Sequence, residues 1–141
     1  MSLTIESAAV VASLNALAAW NKVAWLEAIG KQQSQRIQDR IRKTKVDPEG
    51  TPWAPWRPRT LEWRQKKGNV EQGLLWDTGE LLNSVSVAVS GESVEIGVTA
   101  EHGHFLQEGT VNMVARPFVG WSDSDSAGVE ASLVAHLNAL L

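Results

Sequence analysis

One run of fifteen residues limits the fold more than any other: SVSVAVSGESVEIGV, from Ser84 to Val98. Val85, Val87 and Val89 alternate with small or polar residues, Ser90-Gly91 breaks the pattern, and Val94, Ile96 and Val98 resume it. Successive side chains of a strand point to opposite faces, so this pattern predicts an antiparallel hairpin. The six aliphatic residues form its buried face, with Ser86, Ala88 and Glu95 opposite.

Helical spacing dominates on both sides of the hairpin. From Ile5 to about Ala19, Ala8, Val11, Ala12, Leu14 and Leu17 recur at helical intervals, with Glu6 or Ser7 as the start. A second helix runs from Lys22 to about Lys43, with Asn21 as its N-cap. Its apolar face is Val23, Leu26, Ile29, Ile37 and Ile41, flanked by Trp25, and its second half reads as a solvated helix with one narrow stripe. Asp47-Pro48 and Gly50 end it. Asp77 or Thr78 can cap a short helix carrying Leu81 and Leu82. Gly109 stops a single turn after Ala100, and Asp123 or Asp125 can cap a last helix with Val129, Leu133, Leu137 and Leu140 as its stripe. At 141 residues one domain is expected. It divides into a helical region (1–45), an extended arm (46–72), and a hairpin sheet with a C-terminal helix (73–141). The class is α+β, with helices packed on a small antiparallel sheet.

Cysteine is absent, which excludes disulfides and thiolate metal sites. No apolar run approaches the roughly 20 residues of a membrane span, and the N-terminus lacks the basic start of a signal peptide. His102 and His104, with Glu101 and Glu108 nearby, lack an evident third and fourth metal ligand, since His136 lies in the last helix. There is no nucleophile elbow, cysteine nucleophile or phosphate-cradling glycine loop. The expectation is a protein without catalytic activity, cofactor or metal.

Charge is segregated. Residues 31–67 hold eleven of the thirteen Lys/Arg against four acids, a local +7, while the remainder carries two basic and twelve acidic residues, a local −10. That asymmetry suits a basic face for nucleic acid, or head-to-tail association of identical subunits. The basic segment contains DPEGTPWAPWRPRTLEWRQKKG, 47–68, with Pro52, Pro55 and Pro58 at every third position. Such spacing favours an extended polyproline-like arm whose polar groups need water or a partner. Three readings of the arm compete. It can fold back over the second helix, dock on a neighbouring subunit, or bind single-stranded nucleic acid through Trp53, Trp56, Arg57, Arg59 and Trp63. Docking is the leading one. Trp53 and Trp56 face outward in it, Trp63 packs at home, and loss of the first two tryptophans leaves the melting temperature nearly unchanged.

The same residues carry a resemblance. DPEGTPWAPWRPRT, LLWDTGELLNSV, VEIGVTAEHGHFLQEGT and VARPFVGWSDSD, in that order, resemble motifs of the phage virion morphogenesis family, the Mu-like tail-completion proteins of long-tailed phages. The likeness spans roughly residues 20–141. Departures are Thr99-Ala100-Glu101 in place of a Tyr-Ala, Val114 in place of a proline, and Trp56 in place of an aliphatic residue.

The resemblance implies a structural subunit of the virion's head–tail junction: a tail-completion, terminator or neck protein assembled in the host cytoplasm. Its implied partners are further copies of itself in a ring, with six the expected number, and the adjoining tail-tube and head-connector proteins. Membrane plays no part, and nucleic acid enters only as DNA passing through the lumen. Trp53, Trp56, Arg57, Arg59, Trp63, Glu108, Arg116 and Phe118 are the expected interface residues. Arg116 is further expected to pair with an acid or with loop carbonyls and so to hold the 101–110 loop.

Overall fold

The computed structural model describes residues 7–141, so the proposed starts at Ile5 and Glu6 lie outside it. The order is α1 (Ser7–Ala18), α2 (Lys22–Asp39) continuing into a π-helical turn (Arg40–Thr44), α3 (Pro58–Lys67), a 3-10 turn (Val70–Gln72), α4 (Glu80–Asn83), β1 (Val85–Ser90), β2 (Ser93–Val98), α5 (Gly103–Glu108) and α6 (Asp123–Leu140). The class is α+β.

β1 and β2 pair antiparallel with Val85 opposite Val98, Val87 opposite Ile96 and Val89 opposite Val94, so the six aliphatic residues share one face. That face lies on α2. The approach is close enough that a Cβ on Gly30 would collide with Val87. Two strands cannot enclose the face, however, and Val87 keeps 39% of its surface exposed. The hairpin is clamped to the helix rather than sunk in a core.

Asn21 caps α2 by accepting from the backbone N–H of Ala24 at 3.3 Å. Leu26, Ile29, Ile37 and Ile41 are buried, whereas Val23 is exposed. The second half of α2 departs from the expected solvated helix, because Gln33 and Arg40 are buried as well. The π-helical turn explains part of this: widening the last turn carries Ile41 to complete burial and leaves Lys45 left-handed at its end, φ 54°. The core joins Ile37 and Ile41 to Trp53, Leu81, Leu82 and Phe118.

α6 begins one residue earlier than a cap at Asp123 would place it. Ser122 is its N-cap, accepting from the N–H of Asp125 at 3.2 Å, and Asp125 returns the bond by accepting from the N–H of Ser122 at 3.0 Å. This reciprocal pair is a capping box. Asp125 is fully buried, and its carboxylate also takes Arg36 at 2.7 Å and Arg40 at 3.4 Å. One acid therefore caps α6 and ties it to α2. α1 packs on α6, leaving Val10, Val11 and Leu14 at least half exposed.

Candidate functional site

The 47–68 segment is neither extended throughout nor free. Its first five residues close a turn: Asp47 accepts the N–H groups of Glu49 at 2.9 Å and Thr51 at 2.8 Å, and Val46 bridges Pro52. Pro58 sits at the N-terminus of α3, where its missing N–H costs nothing, and helix then runs to Lys67. Only the short stretch between keeps the proline-rich extended form.

The placement of the tryptophans reverses expectation. Trp53 is 7% exposed and belongs to the core, donating from its indole nitrogen to the Pro117 carbonyl at 2.7 Å. Trp56 is half-buried, with the Arg64 guanidinium 4.8 Å from its ring centre. Trp63, expected to pack at home, is 51% exposed on α3 beneath Lys67. An outward docking pair of Trp53 and Trp56 is therefore not what the fold presents, and removing both would open the core.

Arg116 explains the inward turn. Its Nε donates to the Ala54 carbonyl at 2.8 Å and its Nη2 to the Pro55 carbonyl at 2.9 Å. A proline-rich strand has no ladder for its carbonyls, and one guanidinium supplies two donors in a fixed fork. Burial, with the Arg57 charge second, pulls the Arg116 pKa below its ordinary value. Of its two expected partner types the carbonyls are the ones found, but they belong to the tryptophan segment rather than the 101–110 loop, and Glu108 is not among them. The loop is held instead by backbone: Arg116 N–H donates to Leu106 O at 2.8 Å. Phe118 is 1% exposed, a core residue and not a contact surface.

Three tethers escaped the sequence reading. Gln107 on α5 accepts from the N–H groups of Phe118 and Val119, both at 3.0 Å, and donates to Val119 O at 2.6 Å. Lys45 donates to the carbonyls of Ile41, Gln72 and Leu74, the last two at 2.7 and 2.8 Å. Burial, and secondarily Arg64, lowers its pKa to about 8. Asp77 caps nothing: it takes Lys67 at 2.7 Å, Asn69 and, at 3.9 Å, Arg64, and the Lys67 bond first among these lowers its pKa. Thr78 is not the cap either: Gly79 holds that position, φ 92°, and Thr78 accepts from Glu80 N–H at 3.4 Å from one residue before it.

These tethers frame an open groove of about 520 Å³ between α3, the 74–81 segment and the 102–116 region. Trp56, Leu74, Leu106, Met113 and Val114 give it apolar lining, and Arg57, Arg64 and Arg116 with Asp77 and Glu80 give it charge of both signs. No residue of α1 or α6 lines it. Of the expected interface residues, the groove gathers Trp56, Arg57 and Arg116; Arg59 and Trp63 are exposed on α3, and Glu108 closes α5 outside the lining. Two of the three tryptophans offered for base stacking are thereby engaged within the subunit.

No helix among the described residues is long and apolar enough to cross a membrane. A model of the phage virion morphogenesis family matches residues 6–138. No curated protein and no solved structure matches the chain.

Proposed function

Because the chain belongs to the phage virion morphogenesis family, we propose that it is a ring-forming subunit of the head–tail junction, acting in tail completion, termination or neck assembly. The role is structural, without catalysis. A part in building the virion follows from the family itself; the junction and the ring are the finer reading.

The observation that carries the finer reading is α1. Its twelve residues, SAAVVASLNALA, hold no charge, and Val10, Val11 and Leu14 stay at least half exposed. An uncharged helix with aliphatic residues left exposed is a candidate interaction surface. Charge segregation supports association of unlike faces, as a closed ring requires. Neighbouring tail-tube and head-connector proteins are the further partners of this reading.

The test is a map of the native particle with the subunit tagged at its C-terminus. Density for the tag in a ring where tail meets head is the expected result. Tag density confined to the capsid shell or the distal tail end would refute the assignment. A rival reading uses exposed Arg57, Arg59 and Lys66 beside Trp63 to bind nucleic acid. It requires retention on DNA at about 50 mM salt that falls steeply with salt and weakens in Arg57→Ala/Arg59→Ala.

A further inference from the structure

α3 and α6 each turn one charged stripe outward, and the two stripes are opposite in sign and equal in spacing. On α3, Arg59, Trp63 and Lys66 stand at positions i, i+4 and i+7, and all three are exposed. On α6, Asp123, Ala127 and Glu130 stand at the same intervals and are exposed as well. Residues so spaced share one face of a helix, and the charges at either end lie about 10 Å apart along its axis. Arg59, Asp123 and Glu130 make no salt bridge among the described residues. Lys66 has Glu62 at 3.6 Å, with both side chains exposed. An exposed pair of that kind contributes little, so Lys66 is free to take a second carboxylate.

Between the charges, a large side chain on α3 answers small ones on α6. Trp63 is 51% exposed, whereas Ser124 and Ala127 keep the α6 surface low at that level. The Lys67 ammonium lies 4.9 Å from the Trp63 ring centre and is itself bound to Asp77 at 2.7 Å. A ring with a tethered cation on its face suits burial against a protein surface better than stacking between bases. The two helices also belong to different neighbourhoods: α6 packs on α1 and α2, and α3 on the 3-10 turn. One copy can therefore use both at once, as a head-to-tail assembly demands and a two-fold dimer does not. The wider charge pattern agrees, since α3 lies in the basic 31–67 segment and α6 in the acidic remainder.

We propose that α3 of each copy docks antiparallel on α6 of the next, with Arg59 facing Glu130, Lys66 facing Asp123 and Trp63 seated over Ser124 and Ala127. The antiparallel sense brings the basic last turn of α3 beside the acidic first turn of α6 and opposes the two helix dipoles. Trp63 is the anchor, and the flanking ion pairs set register and direction. This rests on the ring reading above and names its interface. The occupant of each face is a second copy of this chain.

Reversing the charge on one face at a time isolates the contact. One variant carries Arg59→Glu with Lys66→Glu, the other Asp123→Lys with Glu130→Lys. All four positions are exposed, so both subunits should melt within a few degrees of the parent. In sedimentation velocity at about 50 mM salt the parent should form closed oligomers. Each variant alone should self-associate on the order of 100-fold more weakly, since like charges then meet at both ends of the contact. Mixed in equal amounts, the two variants should assemble again. The reversed α3 of one meets the reversed α6 of the other, and their unaltered faces meet as in the parent. No folding defect reproduces that rescue. Variants that assemble singly like the parent would overturn the contact while leaving the ring standing, and so would a mixture as dissociated as its components. Loss of DNA retention in Arg59→Glu/Lys66→Glu with self-association unchanged would assign the α3 stripe to nucleic acid instead. A parent that is monomeric up to about 1 mM would end the ring reading and this contact with it.

Discussion

The tryptophan segment and α1 exchange the roles their compositions suggest. Residues 52–57 are proline-rich and end on a cation, yet the fold draws Trp53 into the core through its own bond to Pro117 and the Arg116 bonds to the Ala54 and Pro55 carbonyls. α1 is apolar and uncharged, yet lies on the surface against α6. The difference teaches where backbone satisfaction enters. A helix completes its own hydrogen bonds, so it can sit outside and keep its side chains for a partner. An irregular proline strand leaves carbonyls unmet, and the group that meets them decides which way it turns.

The sharpest way to break this comparison is Trp53→Ala. Deleting a buried tryptophan costs about 3–5 kcal/mol, on the order of 10 °C in melting temperature for a domain of this size. Circular dichroism melts should show that loss. An unchanged melt would make the segment a detachable arm and restore the docking reading.

Asp125→Asn comes next. At pH 7 it should remove about 2 kcal/mol, since it unpairs Arg36 and Arg40 around a buried acid. Burial alone would raise the carboxyl's pKa, but bonds from Ser122 and Arg36, with the Arg40 charge, together hold it below the ordinary 3.8. A depressed folded pKa gives stability that is present above the unfolded value and lost as pH falls below it. Parent and variant should therefore converge in urea midpoints below about pH 4. A constant gap down to pH 2 would assign the loss to packing instead.

Arg116→Lys should cost about 1–2 kcal/mol, because an ammonium cannot reproduce the fork to Ala54 and Pro55. Equal melts for parent and variant would mean that a single donor is enough to turn the segment inward.

The smallest effect is expected at Leu14→Ala, within about 0.5 kcal/mol, since the side chain is largely exposed. A loss of several kcal/mol would place α1 in the subunit's own core and erase the contrast.

Local features were legible in the residues. Asn21 caps α2, Gly109 stops α5, and the period-two valines set both the hairpin's face and its register. Each depends on neighbours a few positions away. Ser122 escaped notice as the cap of α6 because Asp123 and Asp125 are equally good capping residues by type. Choosing among them takes Arg36 and Arg40, more than eighty residues earlier. Gln107 gave no signal at all, because a glutamine in a helical turn has no pattern that marks two backbone N–H groups eleven and twelve residues on as its partners.

By itself the sequence determined the flanking helices, the hairpin pairing and the family, though not α3 inside the expected arm, since periodicity, punctuation and ordered motifs are written along the chain. Only the tertiary structure decided that Trp53 goes in, that Trp63 and α1 stay out, and that a groove opens beside Arg116. Apolar content says that a face seeks cover. Which face receives it depends on the distant donors and acceptors that each arrangement leaves satisfied.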